Sequence, residues 1–304
     1  MAGVFVTRRL VGDALDALAA EHDVDVWTGE LPPEPAELRA RAAGADGLLC
    51  LLTERVDVAL LDACPRLRVI ANYAVGTDNV DLAECRRRGV AVGCTPDVLT
   101  DATADLALAL VLAVARRLPE AAGAVRAGEW RTWEATRWLG AGLSGRRLLV
   151  VGPGRIGRAV ARRAEGFGME VAFAGRADDL HARLRAADVV SLHAPLTDAT
   201  RGLMDAAAFA ALPQGALLVN TARGALVDHD ALLAALRSGH LGGAGLDVTD
   251  PEPLPAGHPL LDEPNVLVLP HVGSATHEAR EAMTRLCVEN LRAGLAGEPL
   301  PYPG

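Results

Sequence analysis

Three side chains that could take part in acid–base chemistry follow apolar runs in the second half of the chain. Arg223 comes after ALLV, Glu252 after AGLDV, and His271 directly after VLVLP. An arginine can clamp an anion, a histidine can transfer a proton near neutral pH, and a carboxylate can orient that histidine and favour its charged form. The structural alternatives are salt bridges for Arg223 and Glu252 and a half-buried imidazole bonded to a backbone carbonyl for His271.

A glycine-rich segment at 150–163, VVGPGRIGRAVARR, joins an apolar strand to a helical pattern. Gly152 would permit a tight turn, Gly154 would let the backbone approach a pyrophosphate, and Gly157 would let helix and strand pack closely. The pyrophosphate would then lie at the helix N-terminus, where the backbone N–H groups carry partial positive charge. The spacing predicts a dinucleotide site, with a plain tight turn as the alternative.

The end of the next apolar run indicates which dinucleotide would bind. In this kind of site an acidic residue about 20 residues further on holds the ribose diol of NAD(H). Here the run ends FAGRADD, with Gly175 and Arg176 at that place, and a guanidinium suits the 2′-phosphate of NADP(H). NADP(H) is therefore favoured. NAD(H) stays possible, because Arg176 could stack on adenine and because Asp178 and Asp179 are close by.

Strands and helices must hold these residues in place, and short apolar runs alternate with helical patterns along the chain. Such alternation predicts parallel sheets with helices on both faces. We predict an α/β protein of two doubly wound parallel-sheet domains with a cleft between them. Residues 1–98 and 277–304 would form one domain and residues 99–276 the other. Ligands of such sheets bind outside the carboxyl ends of the strands, where the three candidate side chains are expected to converge.

Residues 100–142, which lie between the strand–helix repeats of the two predicted sheets, have a different sequence pattern. TDATADLALALVLAVARRL at 100–118 predicts one long helix with Thr100 as its N-cap, and its apolar faces predict burial all round. EWRTWEATRWLGAG at 129–142 holds three of the four tryptophans. We interpret residues 100–142, the helix and the Trp-containing arm, as the interface of a homodimer, with a small local core as the alternative for the arm.

Composition excludes several other functions. The 304-residue chain has a net charge of −9 and no basic stripe, so no nucleic-acid partner is expected. It contains no lysine, which excludes catalysis through a lysine Schiff base. Its five scattered cysteines form no CxxC pair, so we expect reduced thiols in a cytoplasmic protein and no metal centre. Neither a signal peptide nor a membrane-spanning stretch is visible, so no membrane partner is expected.

Several motifs together resemble those of the D-isomer-specific 2-hydroxyacid dehydrogenase family. In chain order they are ANYAVGTDNVDL, TPDVLTDATADLALAL, GPGRIG, HAPLT, NTARGALVD, AGLDV followed by PEP, and LPHVGSAT. The resemblance covers essentially the whole chain, and within the family it is strongest to the glyoxylate/hydroxypyruvate reductases. Two features depart from the family pattern. Pro153 replaces the commoner leucine in the glycine loop, and the segment between Arg176 and DVVSLHAP is shorter than usual.

The resemblance implies a Rossmann-type cofactor domain plus a flavodoxin-like substrate domain. It also implies an enzyme that reduces glyoxylate or hydroxypyruvate with hydride from NAD(P)H. Arg223, Glu252 and His271 would be catalytic, with His271 as the general acid/base. The substrate would be bound by Val75, Gly76, Arg223, Ser274 and Trp138, the last of these reaching the partner subunit's pocket. The positions that resemble cofactor-binding residues are Thr103, Gly152, Gly154, Arg155, Ile156, Gly157, Gly175, Arg176, His193, Pro195, Thr200, Thr221, Ala222, Asp247 and Gly273.

Two other functions are compatible with the same motifs. One is a dehydrogenase of this family with another substrate: a bulkier 2-oxo acid, 3-phosphoglycerate or phosphite. The other is a non-catalytic, dinucleotide-sensing protein, like the corepressors that share this fold. The presence of Arg223, Glu252 and His271 argues against lost catalysis, but a fold alone does not determine a function.

Overall fold

The computed structural model describes all 304 residues, which form two compact units. Unit 1 contains Met1–Leu99 and Ala275–Gly304, and unit 2 contains Thr100–Ser274. Each unit is built on one sheet of parallel strands. None of the helices has the length and apolar character needed to cross a bilayer.

The sheet of unit 1 has five parallel strands, which are β1 (Gly3–Val6), β2 (Asp23–Val26), β3 (Gly47–Cys50), β4 (Val69–Asn72) and β5 (Ala91–Gly93). Their order across the sheet is β2-β1-β3-β4-β5, the order of flavodoxin-like folds. Every residue of β3 and β4 is buried, because helices cover both faces of the sheet. These helices are α1 (Ala14–Ala19), α2 (Pro35–Ala42), α3 (Val58–Ala63), α4 (Leu82–Arg88) and the C-terminal helix α11 (His277–Ala296).

The C-terminal helix α11 packs directly on strands of unit 1. It begins after Thr276, whose hydroxyl accepts a hydrogen bond from the N–H of Ala279, and it ends at Gly297 in the left-handed conformation. At Gly294 the helix approaches β4 so closely that an added Cβ would lie 2.5 Å from Cβ of Val69. The absence of a side chain at position 294 therefore sets the distance between helix and strand.

The sheet of unit 2 has six parallel strands, which are β6 (Arg147–Val151), β7 (Glu170–Ala174), β8 (Val189–Leu192), β9 (Ala216–Asn220), β10 (Leu241–Leu246) and β11 (Val266–Val268). Their order is β11-β10-β9-β8-β6-β7. The connection after β6 leads to β7 on one side of the sheet, and the connection after β8 leads to β9 on the other side. In doubly wound folds such a reversal leaves a ligand-binding crevice at the carboxyl ends of the two central strands, here β6 and β8. In the common dinucleotide-binding order a further strand lies beyond the strand that corresponds to β7. The sheet of unit 2 lacks that strand, so β7 is its edge strand.

Helices cover both faces of this second sheet, and alternate strand residues contact opposite helix layers. Leu149 and Val151 of β6 pack in one core, and Leu148 and Val150 pack in the other. The helices of unit 2 are α5 (Thr100–Ala115), α6 (Leu118–Arg126), α7 (Arg155–Gly166), α8 (Leu180–Leu184), α9 (Ala206–Ala211) and α10 (His229–Arg237). The prediction of two doubly wound parallel-sheet domains, one Rossmann-type and one flavodoxin-like, is confirmed.

The prediction of a single, fully buried helix over 100–118 is wrong in two respects. The helix ends early, because Arg117 adopts the left-handed conformation with φ of 52° and α6 begins in a new direction. One stripe of α5 is exposed, and it carries Asp101 and Asp105 one helical turn apart. Both carboxylates pair with Arg163 of α7, at 2.9 and 2.5 Å. Asp101 and Asp105 therefore link α5 to α7, which lie side by side on the same face of the sheet.

We predict opposite effects on stability for two glycine-to-alanine changes in helices. Alanine is normally favoured over glycine inside a helix by about 1 kcal/mol. Gly294→Ala should instead destabilise the protein by about 1–3 kcal/mol, because the new methyl group would overlap Val69. The matched control is Gly123→Ala in α6, where an added Cβ meets nothing within 4 Å, and it should raise the melting temperature or leave it unchanged. Thermal unfolding followed by circular dichroism measures both changes, and a melting temperature that is not lowered by Gly294→Ala would contradict the prediction.

Candidate active site

The segment that carries His271 is fixed to the end of β10 by hydrogen bonds to a single residue, Asp247. The N–H of His271 donates to the Asp247 carbonyl oxygen at 2.9 Å. The N–H groups of Val272 and Gly273 donate to the two Asp247 carboxylate oxygens at 2.7 and 2.8 Å. His271 itself has φ of 54°, a conformation that a residue with a side chain keeps only where its surroundings impose it.

Both carboxylate oxygens of Asp247 are therefore used to position backbone. Burial raises the pKa of this carboxyl, while the two N–H donors and the nearby His271 act in the opposite direction. The hydroxyl of Thr103 on α5 donates to the carbonyl oxygen of Gly273 at 3.1 Å, which ties the same segment to a helix. Thr103, Asp247 and Gly273 were predicted as cofactor-binding residues. The structure brings them together, and their contact with a cofactor stays a prediction.

The imidazole of His271 contacts the carboxylate of Glu252. Nδ1 of His271 lies 2.5 Å from Oε1 of Glu252, and the N–H of Thr249 donates to the other carboxylate oxygen at 3.3 Å. Burial raises the pKa of Glu252, but the hydrogen bond and charge of His271 outweigh burial, so the pKa is lowered overall. Because Nδ1 is used by the carboxylate, Nε2 is the ring nitrogen that can exchange a proton with a ligand.

Arg223 stands in the turn after β9, and the buried side chain of Asn220 shapes that turn. The Asn220 amide donates to the carbonyl oxygen of Arg223 at 2.8 Å and accepts from the N–H of Ala222 at 3.0 Å. An added Cβ at Gly224 would lie 2.6 Å from the backbone nitrogen of Asp250, so this turn packs against the loop that carries Glu252. The charge of Arg223 also contributes to lowering the pKa of Glu252. The candidate acid–base and anion-binding groups are therefore neighbours.

Sequence reasoning missed Asn220, although a signal was present. The motif NTARG places an amide as the last residue of a strand whose residues are otherwise apolar, and that side chain is fully buried. A buried amide needs hydrogen-bond partners, so at a strand end it commonly closes the turn that follows. Asn72 plays a comparable part in unit 1, where its amide donates to the carbonyl oxygen of Gly76 at 2.9 Å.

The glycine loop after β6 has the shape that a dinucleotide requires. Gly152 has φ of 100°, and an added Cβ would lie 2.6 Å from the backbone of His193. At Gly157 an added Cβ would overlap the carbonyl oxygen of Gly152, so α7 packs directly on the loop. Gly154 precedes α7 without a side-chain cap, and an added Cβ there meets nothing within 4 Å. The space above the first turn of α7, which begins with Arg155 and Ile156, therefore fits an anionic diphosphate.

The other predicted cofactor positions lie after neighbouring strands of the same sheet. Thr200 closes the loop after β8, because its hydroxyl donates to the carbonyl oxygen of Pro195 at 2.7 Å. Thr221 follows β9, and its buried hydroxyl has no hydrogen-bond partner, which fits a group that contacts a ligand. Gly175 and the exposed Arg176 follow β7. All four positions lie at the carboxyl end of the sheet, where dinucleotides bind in this fold.

The structure does not bring every predicted substrate residue to His271. Trp138 has φ of 54° and stacks under the guanidinium of Arg137 at 4.2 Å. It borders a groove with Pro264 and Val266, at the opposite end of β11 from His271. A substrate contact by Trp138 would therefore require a second copy of the chain. Ser274 is the last residue of unit 2, and Val75 and Gly76 lie in unit 1 after β4, so their predicted contacts with the substrate stay predictions.

Comparison with known proteins agrees with this arrangement. Residues 108–273 match the model of the D-isomer specific 2-hydroxyacid dehydrogenase NAD binding domain. A human glyoxylate reductase/hydroxypyruvate reductase is 44% identical over 315 aligned positions, which cover 98% of this chain and 96% of that protein. A glyoxylate reductase from Thermococcus litoralis is 42% identical over 315 positions, covering 98% of this chain and 95% of that one.

A solved structure shares the whole fold. The NADPH-dependent glyoxylate/hydroxypyruvate reductase of Sinorhizobium meliloti, in complex with NADP and malonate, has a TM-score of 0.89 at 34% identity. The match covers 100% of this chain and 96% of that chain. The chain described here belongs to the D-isomer specific 2-hydroxyacid dehydrogenase family. The family predicted from the motifs is confirmed.

We predict an acid-sensitive contribution to stability from His193, which follows β8. Burial lowers the pKa of this histidine to about 4, and its Nε2 lies 2.8 Å from the hydroxyl of Ser191. In the unfolded chain His193 is protonated below about pH 6.5, whereas in the folded protein it is protonated only below about pH 4. The free energy of unfolding therefore decreases as the pH falls from about 6.5 to about 4.

Urea denaturation at pH 7 and pH 5 measures this effect. His193→Gln retains a hydrogen-bonding group but cannot titrate. Between pH 7 and pH 5 its free energy of unfolding should therefore fall by about 2 kcal/mol less than that of the wild type. His181→Gln, on the exposed face of α8, is the control and should behave like the wild type. Equal acid sensitivity of His193→Gln and the wild type would show that His193 is not the group responsible.

Proposed function

We propose that this protein is an NAD(P)H-dependent reductase that converts glyoxylate or hydroxypyruvate to the corresponding 2-hydroxy acid. The observation that carries the proposal is the 2.5 Å contact between His271 and Glu252 at the strand ends of the same sheet that carries a glycine loop fitting a dinucleotide. The names of the human and Thermococcus litoralis relatives support the choice of substrate. The malonate in the Sinorhizobium meliloti structure also supports a small carboxylate ligand.

His271 supplies the proton in the proposed reaction. When it is bound, the reduced nicotinamide supplies the hydride that the carbonyl carbon receives. Negative charge then develops on the carbonyl oxygen, and the N–H at Nε2 of His271 donates its proton to that oxygen. The Glu252 carboxylate at Nδ1 holds the ring in one orientation and leaves Nε2 free to face the substrate. In the reverse direction the neutral ring takes the proton from the substrate hydroxyl.

Arg223 binds and orients the 2-oxo acid in the proposed reaction. A guanidinium offers two parallel N–H donors, which match one carboxylate oxygen and the adjacent carbonyl oxygen of the substrate. The same positive charge stabilises the oxygen as it gains negative charge, because the donor is already in place before the reaction. The turn formed around Asn220 provides that placement.

We propose NADP(H) as the preferred cofactor, with NAD(H) also accepted. The exposed guanidinium of Arg176 directly after β7 supports recognition of a 2′-phosphate. The Sinorhizobium meliloti relative, which was solved with NADP, supports the same preference.

A cytoplasmic location is also part of the proposal. The five cysteines, which are all buried free thiols, support it.

We predict that His271→Ala lowers kcat/KM by about 10²–10⁴-fold, the usual contribution of a general acid. The affinity for NADPH should change by less than about twofold, since the glycine loop lies elsewhere. Absorbance of the reduced nicotinamide, followed with glyoxylate and with hydroxypyruvate, measures turnover, and fluorescence titration measures cofactor binding. His277→Ala, at the start of α11, is the control and should retain wild-type rates.

Three outcomes of this assay would each contradict a part of the proposal. Near-normal turnover by His271→Ala would remove His271 as the acid. A wild-type protein that binds NADPH but oxidises it with no small 2-oxo acid would favour a dinucleotide-sensing binding protein. Activity with a bulkier 2-oxo acid alone would retain the reaction and change the substrate.

We also propose that the protein is a homodimer that pairs through residues 100–142. Large apolar side chains of this segment are exposed: Trp130 by 64%, Trp133 by 82% and Leu139 by 65%. A small local core, the alternative considered for the tryptophans, would have buried Trp130 and Trp133. Exposed apolar clusters of this kind commonly mark protein–protein contacts, and the groove that Trp138 borders is adjacent.

Sedimentation velocity tests this assembly. Trp133→Asp should shift the protein from dimer to monomer, or weaken the dimer by about 30-fold or more, the size expected for loss of an interface tryptophan. Leu31→Asp is the control, because Leu31 is 77% exposed in unit 1, outside the arm. A monomeric wild type, or an undisturbed dimer in Trp133→Asp, would rule out pairing through this arm.

A further inference from the structure

A network of polar side chains crosses the carboxyl edge of the sheet in unit 1, where the strands end. It begins at Glu54, which follows β3 and is 3% exposed. One carboxylate oxygen of Glu54 accepts from the hydroxyl of Thr7, after β1, at 2.5 Å and from the N–H of Leu51 at 2.7 Å. The other oxygen accepts from the hydroxyl of Thr53 at 2.6 Å. Glu54 therefore bridges the ends of β1 and β3.

The side chain of Asn79 continues the network to the loop after β4. Its amide nitrogen lies 3.0 Å from the carbonyl oxygens of both Leu51 and Glu54. Asn79 also pairs with Asn72, the last residue of β4, since each amide nitrogen lies 3.1 Å from the amide oxygen of the other. Asn72 is fully buried, so its amide depends on partners within the protein. The two amides therefore link the loop after β3 to the loop after β4.

Two buried donors fix the direction of the backbone at residues 75–77. The amide of Asn72 donates to the carbonyl oxygen of Gly76 at 2.9 Å, and the N–H of Thr95 donates to the carbonyl oxygen of Ala74 at 2.9 Å. These peptide bonds are trans, so the carbonyl and N–H groups of each point in opposite directions. Because both carbonyl oxygens face fully buried residues, the N–H groups of residues 75 and 77 face away from them.

Three consecutive N–H groups are available to a ligand in this segment. The N–H groups of Val75, Gly76 and Thr77 have no acceptor within the protein, and Val75 is 40% exposed. Successive free backbone N–H groups can bind an anion. The predicted contacts of Val75 and Gly76 with the substrate fall within this segment. The network from Glu54 therefore ends at the groups that would bind the substrate carboxylate.

We propose that Asn72 and Asn79 are positioning residues for substrate binding: they hold residues 75–77 so that the free N–H groups bind the carboxylate of the 2-oxo acid. Each side chain acts through the backbone that it holds, without touching the substrate. This inference rests on the proposed reductase function. The alternative is a network that only stabilises unit 1, and it predicts a lower melting temperature without a change in substrate affinity.

Steady-state kinetics with glyoxylate and calorimetric titration with oxalate, an unreactive dicarboxylate, test the proposal. Asn72→Leu has a similar size but can neither donate nor accept a hydrogen bond. It should raise the KM of glyoxylate and the Kd of oxalate about tenfold or more, the size expected for loss of a hydrogen bond to a charged group. The value of kcat should change by less than about threefold, because the carboxylate is bound equally before and during hydride transfer.

Asp46→Asn is the matched control at the opposite edge of the same sheet. The buried carboxylate of Asp46 accepts from the N–H of Gly3 at 2.9 Å and pairs with Arg66 at 2.9 Å. This variant should lower the melting temperature, while the KM of glyoxylate and the Kd of oxalate stay within about twofold of the wild type, because distant sites act independently.

A second variant keeps the test decisive if Asn72→Leu does not fold. Asn79 is only partly buried, so water can replace its amide in Asn79→Ala. This variant removes the partner of Asn72 and should raise the KM of glyoxylate and the Kd of oxalate about threefold or more.

The contrary outcomes separate this inference from the proposed function. An unchanged KM and an unchanged Kd of oxalate in the asparagine variants would overturn the positioning role, whatever happens to the melting temperature. An equal rise of both constants in Asp46→Asn would overturn it as well, since loss of stability alone would then explain the effect. A wild type that binds oxalate but does not oxidise NADPH would overturn the reductase function, and the oxalate affinities would still test the positioning role.

Discussion

The carboxylate of Asp247 is the constraint on which the candidate active site depends. It is buried at the end of β10, and its two oxygens accept the N–H groups of Val272 and Gly273. These bonds hold His271 in a left-handed conformation that is uncommon for residues other than glycine. The cost of that conformation, about 1–3 kcal/mol, is offset by the bonds to Asp247, and the result is an imidazole aimed at Glu252.

The parallel sheet converts separation along the chain into proximity. Arg223, Glu252 and His271 follow β9, β10 and β11, which are neighbours in the sheet, so all three groups emerge at one edge. The turn around Asn220 and the close approach of Gly224 to the following loop remove most of the remaining freedom. Catalysis by positioned groups needs this kind of rigid support, because a donor placed in advance does not have to reorganise during the reaction.

Much of this arrangement follows from sequence patterns, and the exceptions have physical causes. The alternation of apolar runs and helical patterns predicted the two parallel sheets, and the spacing of Gly152, Gly154 and Gly157 predicted the loop before α7. The end of α5 was missed, because a left-handed arginine at 117 leaves no periodicity signal. The role of Asp247 depends on hydrogen bonds to a segment 25 and 26 residues further along the chain, which no local pattern reports.

The central claim is that His271, held by Asp247 and oriented by Glu252, gives its proton to the oxygen of a small 2-oxo acid. A crystal structure of the protein with NADPH and oxalate, an unreactive analogue of glyoxylate, tests this claim most directly. We expect Nε2 of His271 within about 2.6–3.2 Å of an oxalate oxygen, with Nδ1 still bonded to Glu252. Oxalate bound away from the imidazole, or a ring turned so that Nε2 faces the protein, would contradict it.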